Sequence, residues 1–380
     1  MRRISAKKID NLTDQWKLAK VQHPREDDMK NYAILFGACM MFMGAAQSAA
    51  AEGCLDVTLT GTQGGPPSFN GLAGSGTLVR YGDTENNCSD VVLQFDVGRG
   101  TVQQLSKLRV NAGAIDGIFL THIHSDHVDG LPDLMQLRWH FNSTAPKVDL
   151  VCGADATSNA GHTLSCANYA AAIGDAMIAS GEIAQRRLEN GARLEGGPAA
   201  LLNVMTVETS PTPNVVWETG DVSVTAISSR HVPGHLSYRV DTPAGSVVIG
   251  GDAGNDTPAP PRDSSTSAQV ETLAQGADIL VHSTIHPVMG PDGGTPFPPP
   301  IFFRQATATD LGSLAERAGV GNVMLTHLIP SLNSPRQGPF PLPNGPLTEA
   351  DFESAVRDGG YGGNVVVGTD LVSLRITASD

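Results

Sequence analysis

Four side chains of the kind that bind metal ions lie within a stretch of six residues. His122, His124, Asp126 and His127 follow Ile118–Thr121, a largely apolar run that predicts a buried β-strand. A strand that ends in a tight loop can direct three imidazoles and a carboxylate into one volume. Neutral imidazole and carboxylate together suit Zn²⁺ or a similar divalent ion. The stretch therefore predicts a metal site at the end of a strand.

Three more short aliphatic runs downstream each lead to a single His or Asp. Each run has the length and the β-branched composition of a strand. The runs are Val224–Ile227, Val247–Ile249 and Val323–Thr326, and they lead to His231, Asp252 and His327 respectively. One structural zinc ion needs only about four ligands. Seven candidates therefore indicate a pair of ions, which we expect to be two Zn²⁺, with Mn²⁺ or Fe²⁺ as alternatives.

This pattern resembles the metallo-β-lactamase fold, and within it the branch that holds ribonuclease Z and the metal-dependent arylsulfatases. Leu59–Pro66 is similar to the first family signature, and Phe95–Gly100 is similar to its Asp-x-Gly strand end. His231 lies seven residues before Tyr238-Arg239, as in ribonuclease Z-like chains. The resemblance extends to His327. It implies an α/β fold, a four-layer αβ/βα sandwich with the metal site at one edge between two mixed sheets.

The resemblance also implies a role for each candidate ligand. One metal ion would be held by three imidazoles, and the other by two imidazoles and a carboxylate, with a second carboxylate bridging the two ions. The first group is His122, His124 and His231, the second is Asp126, His127 and His327, and the bridge is Asp252. Asp126 and Asp252 are accordingly catalytic candidates as well as ligands.

Other residues would support these ligands or assist the reaction. Asp96 resembles the carboxylate that orients a ligand imidazole, and an ordinary turn residue is the alternative. Ribonuclease Z-like chains carry a His upstream of the last ligand that helps to protonate the leaving group, but Arg304–Asp310, the matching segment, has none. His235, His282 and His286 are candidates to replace it, with a structural hydrogen-bonding role as the alternative for each. We take His235 as the catalytic candidate and His282 as a residue that supports the ligands.

The amino-terminal region is distinct from the candidate hydrolase domain. Residues 1–28 are polar and mixed in charge, which indicates an atypical leader or a misassigned start. Residues 29–51 combine a basic start, a short apolar core and a run of small residues, which is typical of a secretory signal peptide. A short membrane anchor that stays attached is the alternative. Residues 52–380 would then form a single domain, with no membrane association after the signal is removed.

The cysteines favour an exported protein. Cys39 lies in the predicted signal, which leaves Cys54, Cys88, Cys152 and Cys166. Sequence does not choose among the three pairings of four cysteines, but Cys54–Cys88 and Cys152–Cys166 are the simplest. Disulfides form in oxidising compartments, so we expect a periplasmic or secreted protein. Four free thiols in a cytosolic enzyme are the alternative.

Charge and chain length argue against a nucleic-acid partner. The first 51 residues contain 8 of the 25 basic and 5 of the 39 acidic side chains, which leaves 17 basic and 34 acidic ones, a net charge of −17. Such a surface repels polyanions. Ribonuclease Z carries an RNA-gripping arm after the Tyr-Arg step, but here Val240–Ile249 has room only for a β-hairpin. We expect a small-molecule ester as the partner, and a homodimer is an open alternative to a monomer.

Several segments are expected to surround the site. Residues 168–192 are predicted to form a helical wall beside it, and Leu311–Ala318 a helix before the strand to His327. The Pro/Gly-rich segments Pro287–Pro300 and Pro330–Pro346 are predicted to form pocket rims, with ordinary surface loops as the alternative. Trp139 and Phe141 fit either substrate contact or the core.

The predicted function is a metal-dependent hydrolase of small esters that have good leaving groups. A missing general acid matters least when the leaving group departs readily as an anion. Aryl sulfates or phosphodiesters are favoured, and lactones, β-lactams and carboxyl esters are the alternatives. A non-catalytic binding protein of the same fold is the alternative class.

Overall fold

Two seven-stranded sheets form the centre of the molecule. The computed structural model describes residues 52–142, 144, 146–158 and 160–378. The first sheet contains β1 (Gly53–Gly61), β2 (Gly76–Asp83), β3 (Val91–Phe95), β4 (Gly117–Phe119), β5 (Val148–Gly153), β8 (Leu202–Val207) and β18 (Ser373–Thr377). The second sheet contains β9 (Asn214–Thr219), β10 (Val222–Ser228), β11 (Leu236–Thr242), β12 (Gly245–Ile249), β13 (Ile279–Ile285), β14 (Asn322–Ile329) and β17 (Asn364–Val367). The predicted leader and signal segments lie outside the described residues.

The two sheets repeat one succession of strand pairings. The first has the order β18-β1-β2-β3-β4-β5-β8, and the second has the order β9-β10-β11-β12-β13-β14-β17. In both, three antiparallel pairs are followed by three parallel pairs. Two short ribbons lie outside them, β6 (Ala156–Thr157) with β7 (Thr163–Leu164) and β15 (Arg336–Gln337) with β16 (Phe340–Pro341).

Helices cover the outer face of each sheet. The helices of the first half are α1 (Thr101–Lys107), α2 (Ser125–Val128), α3 (Leu131–Asn142), α4 (Cys166–Ala172), α5 (Asp175–Ala179) and α6 (Glu182–Glu189). Those of the second half are α7 (Ala268–Ala274), α8 (Pro299–Phe302), α9 (Ala308–Ala318) and α10 (Glu349–Asp358). Short 3₁₀ turns occupy Thr84–Asn86, Ala112–Ala114, Pro198–Leu201, Pro287–Met289 and Pro291–Gly293.

Alternation along the strands explains why four layers form. In β4, Ile118 packs with the first-half helices while its neighbour Phe119 packs between the sheets. In β14, Val323 packs against the second-half helices and Met324 faces the other sheet. Because neighbouring strand residues point to opposite faces, strands that are apolar throughout require cover on both sides. The predicted four-layer αβ/βα sandwich is confirmed.

The helix before the last candidate ligand follows its sequence signals closely. Thr307 caps α9, with its side chain accepting the Asp310 amide, and Gly319 ends the helix at φ +67°. Only a residue that tolerates the left-handed region ends a helix in this way. The helix predicted over Leu311–Ala318 is present, and it begins at Ala308.

The predicted helical wall is wrong in two respects. Residues 168–192 fall into α4, α5 and α6, which are separated at Gly174 and Gly181, both with positive φ. Ala170 and Ile183 of this block pack on the outer face of the first sheet, and none of its residues lines the main pocket. Trp139, for which the sequence allowed either substrate contact or the core, lies in the core. Its indole donates a hydrogen bond to the Leu194 carbonyl at 2.9 Å.

Two disulfides connect the cysteines that the sequence analysis considered simplest to pair. Cys54 on β1 bonds Cys88, and Cys152 on β5 bonds Cys166 at the start of α4. All four cysteines are buried. Among the described residues, none of the helices combines the length and apolar character that a bilayer-spanning segment requires.

Candidate metal centre

The seven predicted ligands meet at one edge of the sandwich. Their ligand atoms form three overlapping groups, in each of which the atoms lie within 4.8 Å of one another. The groups are His122 with His124 and His231, His122 with His127 and Asp252, and Asp126 with His127 and His327. The first and third are the two sets that the family resemblance implied, and the second joins them.

Asp252 lies between the two outer groups. Its Oδ1 is 3.6 Å from His127 Nε2, and its Oδ2 is 3.7 Å from His231 Nε2 and 3.4 Å from His327 Nε2. The side chain follows β12 through Gly250 and Gly251, and Gly251 has φ +60°. A carboxylate in this position can bind an ion on either side with its separate oxygens. The geometry suits a bridging ligand.

His327 occupies a β-bulge within β14 and does not follow the strand as predicted. Thr326 pairs with Ser283 and Leu328 pairs with Thr284, so His327 is the extra residue in the register. Its φ of +46° is rare for a residue with a Cβ. A bulge redirects a side chain that regular alternation would point elsewhere, and strained backbone of this kind concentrates at functional sites.

Asp96 contacts the His127 imidazole at Nδ1, the ring nitrogen that does not face Asp252. Its Oδ2 lies 2.8 Å from His127 Nδ1 and accepts the Thr121 hydroxyl at 2.8 Å, while Oδ1 accepts the Thr121 amide at 2.7 Å. The carboxylate is 3% exposed. An acceptor at Nδ1 places the proton there and leaves Nε2 with a free lone pair directed at the site.

Buried atoms without partners show that the side chains fit metal ions. Among the described residues, five site atoms have no hydrogen-bond partner: His122 Nε2, His127 Nε2, His231 Nδ1, His327 Nδ1 and Asp252 Oδ1. Leaving one such atom unsatisfied costs about 1–3 kcal/mol. His122, His127 and Asp252 form one of the three ligand groups, so cations that they would coordinate best explain their unsatisfied atoms. The His231 and His327 rings direct Nε2, and not the unsatisfied Nδ1, towards Asp252.

The protonation states that the structure favours also suit coordination. Burial lowers the pKa of His231 to about 3 and that of His122 well below its usual value, so both imidazoles are neutral. Burial opposes ionisation of Asp126, but the His327 hydrogen bond and the neighbouring imidazoles hold its pKa at about 2. His122 and His231 are therefore neutral beside an ionised Asp126, which is the form in which these groups bind metal. Burial opposes the charged form of His127 and His327 too, but Asp252 and the other neighbouring carboxylates raise the pKa of both imidazoles, so these two would release a proton when an ion binds.

His235 does not have the predicted catalytic position. It is 1% exposed, its Nδ1 lies 2.9 Å from the Ser229 hydroxyl, and its Nε2 accepts the Asp252 amide at 3.2 Å. Burial holds its pKa well below its usual value. A neutral imidazole with both nitrogens engaged has no proton to deliver, so its contact with the Asp252 backbone makes it a positioning residue.

His282 and His286 also lie away from the reaction volume. His282 is fully buried against Gly250, and its Nδ1 is 2.6 Å from the Ser283 carbonyl oxygen. It touches the segment that carries Asp252, as a supporting residue would, without a hydrogen bond to a candidate ligand among the described residues. His286 accepts the Val288 amide and lies edge-to-face with Phe352.

A pocket of about 390 Å³ opens over the metal centre. One side carries candidate ligands, including His124, Asp126 and His231. The rest of the wall is formed mainly by Pro66, Pro67, Phe297, Ile301, Arg304, Gln305, Ile329, Gln337, Gly338, Pro339 and Phe340. Both predicted Pro/Gly-rich rims contribute to this wall. Arg304 and Arg336 are both exposed; Arg304 lines the pocket, and Arg336 is not among the lining residues.

Asp370 anchors the loop over the site, a role that sequence reasoning missed. Its carboxylate accepts the Thr62 amide and hydroxyl at 3.0 and 2.8 Å, the Ala73 amide at 2.8 Å and the Gln104 carboxamide at 2.7 Å. These bonds hold the loop from β1 to β2, from which Gly65 donates to His327 Nε2 at 3.0 Å. Asp370 is about 300 residues from Thr62, so no local pattern could reveal the contact.

Comparisons with known proteins agree with this architecture. The family model described as Anti-Pycsar protein Apyc1 matches residues 85–167. Ribonuclease Z of Mycobacterium marinum is 28% identical over 332 residues, which cover 85% of this chain and 99% of that protein. The metallo-β-lactamase fold protein YhfI from Bacillus subtilis aligns with a TM-score of 0.53 and 17% identity, over 85% and 99% of the two chains. Human tRNase Z, short form, aligns with a TM-score of 0.52 and 17% identity, over 84% and 98%.

Fold and site together define a metal-dependent hydrolase of the metallo-β-lactamase fold. Within that class, the chain's similarity is to the ribonuclease Z branch, which confirms the resemblance seen in the sequence. The names of these relatives refer to RNA, in partial conflict with the expectation that this chain has no nucleic-acid partner. That expectation, the small ester substrate and the homodimer stay predictions.

Proposed function

We propose that the protein is a periplasmic or secreted hydrolase of small phosphodiesters that works with two zinc ions. The observation that carries the proposal is the pair of ligand groups joined by Asp252 directly beneath an open pocket. A purely structural ion has a closed shell of protein ligands, whereas His124, Asp126, His231, Asp252 and His327 also line the pocket.

Each part of the chain has a defined task in this proposal. His122, His124 and His231 would hold one ion, and Asp126, His127 and His327 the other, with Asp252 between them. When bound, a pair of divalent ions supplies hydroxide near neutral pH and stabilises charge on the attacked centre and the leaving oxygen. Asp96 fixes the orientation of the His127 ring, and His235 fixes the backbone of Asp252.

The relatives favour a phosphate ester over the other ester classes as the substrate. Ribonuclease Z proteins at 26–28% identity span 73–85% of the chain, and a ribonuclease cleaves a phosphodiester. Aryl sulfates, lactones, β-lactams and carboxyl esters have no such support, so we place them behind phosphodiesters.

A small substrate is favoured over RNA by two features. The connection between β11 and β12 is a tight turn in which Thr242 pairs with Gly245, so no RNA-binding arm is present at this position. The charge of −17 that the sequence gives to residues 52–380 disfavours a polyanionic substrate.

The test is a substrate screen combined with metal analysis of purified protein. We expect zinc-dependent hydrolysis of bis(4-nitrophenyl) phosphate that exceeds hydrolysis of 4-nitrophenyl sulfate, 4-nitrophenyl acetate, a lactone and a β-lactam, with little cleavage of precursor tRNA. Faster cleavage of precursor tRNA, or of any non-phosphorus ester, would overturn the proposal. Protein that binds no zinc and cleaves none of these compounds would favour the binding-protein alternative.

The proposed export has its own test. Disulfides at Cys54–Cys88 and Cys152–Cys166 fit an oxidising compartment. The intact mass of protein from its native host should correspond to a chain that begins near residues 49–53, without reactive thiols after denaturation. A chain that retains residue 1 and has four reactive thiols would exclude export.

A further inference from the structure

A closed ring of hydrogen bonds, here called the polar ring, holds the segment that carries Asp252. His235 Nε2 accepts the Asp252 amide at 3.2 Å, and His235 Nδ1 lies 2.9 Å from the Ser229 hydroxyl. The Ser229 hydroxyl lies 2.7 Å from that of Ser237, which donates to the Gly250 carbonyl at 2.8 Å. The polar ring therefore begins and ends on backbone groups that lie two residues apart in the chain.

The two backbone groups fix the direction of every hydrogen bond in the polar ring. An amide can only donate, so His235 Nε2 is an acceptor and the imidazole carries its one proton on Nδ1. A carbonyl can only accept, so the Ser237 hydroxyl gives its proton to Gly250. Ser237 must then accept from Ser229, whose oxygen accepts from His235 Nδ1. Each of the three side chains therefore accepts one hydrogen bond and donates one.

The polar ring is buried beside the metal centre. Ser229 and His235 lie in the connection between β10 and β11, and Ser237 lies in β11. Ser237 and His235 are fully or almost fully buried, and Ser229 is 9% exposed. Because water has little access to these positions, the loss of one side chain leaves its neighbours with unsatisfied polar atoms.

Two glycines precede Asp252, so the segment has no side chains that could hold it in place. A Cβ at Gly250 would collide with the His282 ring, and a Cβ at Gly251 would collide with the His235 ring. Strand β13 binds the Gly250 amide and the Gly251 carbonyl, and the polar ring binds the Gly250 carbonyl and the Asp252 amide. The position of the Asp252 carboxylate therefore depends on the polar ring.

We propose that Ser229 and Ser237 are positioning residues of the metal centre, which set the His235 tautomer and thereby the place of the Asp252 carboxylate. This role rests on the two-ion centre of the proposed function and does not depend on the substrate. It extends the support of Asp252 from one imidazole to three side chains that act as a unit.

The loss of Ser237 shows how the unit would fail. Without Ser237, the Ser229 hydroxyl has no acceptor in the polar ring and can turn to donate to His235 Nδ1. The imidazole would then carry its proton on Nε2, which would face the Asp252 amide with donor against donor. The amide would have to move away from the imidazole, and the carboxylate would move with it.

The experiment compares variants of the polar ring with a matched control. Ser229→Ala and Ser237→Ala each remove one hydroxyl. Ser246→Ala is the control, because Ser246 is a buried serine at the far end of β12 from Asp252 and donates to Asp278 at 2.9 Å. Ser229→Thr keeps the hydroxyl, and Ser229 lines a second pocket of about 520 Å³ that leaves space for the added methyl group.

Three quantities are measured on each variant. Zinc affinity is obtained by competition with a chromophoric chelator. The His235 tautomer is read from ¹⁵N NMR spectra of metal-free, histidine-labelled protein, in which His235 is assigned by the signals that His235→Gln lacks. The values of kcat and KM are determined with bis(4-nitrophenyl) phosphate, and urea unfolding verifies the fold.

Wild-type protein, Ser246→Ala and Ser229→Thr should have His235 protonated on Nδ1 and equal zinc affinity. Ser237→Ala should show a measurable share of the Nε2-protonated form. Ser229→Ala and Ser237→Ala should each weaken zinc binding at one site about 10- to 100-fold, as expected when a metal ligand loses its support, and lower kcat with little change in KM. The double variant should bind zinc about as weakly as either single variant, because both changes open the same ring.

Two results would overturn the positioning role. The first is a Ser237→Ala variant with the zinc affinity and the His235 tautomer of Ser246→Ala. The second is a double variant whose loss of affinity equals the product of the two single losses, since the serines would then act independently. If Ser237→Ala does not fold, Ser229→Ala and its rescue by Ser229→Thr decide in the same way.

The proposed function fails in a different way. Zinc-loaded wild-type protein that cleaves no phosphodiester overturns the proposed substrate, while zinc affinity and the His235 tautomer still test the polar ring. Wild-type protein that binds no zinc overturns both.

Discussion

Replacing Asp96 by Asn should weaken zinc binding without unfolding the protein. Oδ1 accepts the Thr121 amide, and an asparagine oxygen can keep that bond. At the Oδ2 position the asparagine NH₂ would face the His127 Nδ1–H at about the present 2.8 Å, donor against donor. The Thr121 hydroxyl can rotate and accept, but the imidazole cannot keep both its orientation and its tautomer.

The expected magnitude follows from the bond that is lost. A hydrogen bond to a charged group contributes about 1.5–3 kcal/mol, and roughly 1.4 kcal/mol corresponds to a factor of ten in affinity. Loss of a carboxylate that orients a metal-binding His costs about 10- to 100-fold in metal affinity. The two figures agree, so the zinc dissociation constant should rise by that factor at the weaker of the two sites.

The assay is competition with a chromophoric chelator at fixed pH, and Asp278→Asn is the matched control. Asp278 is a partly buried carboxylate beside β13 that accepts the Ser246 amide and hydroxyl at 2.7 and 2.9 Å, at the end of the sheet away from the site. Its substitution should lower stability without changing zinc affinity. If Asp96→Asn binds zinc as tightly as Asp278→Asn, the proposed orientation of His127 by Asp96 is refuted.

Three further predictions address the bridge, the disulfides and a helix cap. Asp252→Ala removes the side chain that joins the two ligand groups, so kcat/KM should fall at least about 1000-fold with partial retention of zinc; near wild-type turnover would contradict the bridging role. Replacing both Cys152 and Cys166 by Ser removes a disulfide that closes a loop with a sequence separation of 14. The free energy of unfolding, measured in urea, should fall by about 3 kcal/mol. An unchanged value would mean that the disulfide does not stabilise the fold. Thr307→Ala removes the cap of α9 and should cost about 1 kcal/mol with unchanged zinc affinity, whereas a loss of zinc would show coupling of this helix to the site.

The site was predictable because its signals are local and chemically specific. His122, His124, Asp126 and His127 are packed into a single loop, and the aliphatic runs before Asp252 and His327 have strand periodicity. Parallel strands bring their ends to one edge of a sheet, which places Asp252 and His327 near each other on the second sheet. The loop of the other four ligands follows β4 of the first sheet, and the packing of the two sheets brings it to the same edge. The sandwich follows similarly from strands that are apolar on both faces.

What could not be predicted depends on contacts between distant residues. The bulge at His327 arises from the register between β13 and β14, and Asp370 reaches Thr62 across the whole length of the domain. His235 has the sequence context of a catalytic residue, and only its burial and its hydrogen bond from the Asp252 amide show otherwise. The three short helices α4, α5 and α6 are separated by glycines within a segment whose composition favours one longer helix.

Zinc titration of metal-free protein, with hydrolysis of bis(4-nitrophenyl) phosphate measured at each step, shows directly whether the seven ligands hold two ions and whether hydrolysis needs both. Two equivalents of zinc should bind per chain, and activity should rise from background to its maximum as the second site fills. Full activity in protein whose zinc has been completely removed, or no zinc binding at all, would contradict this expectation.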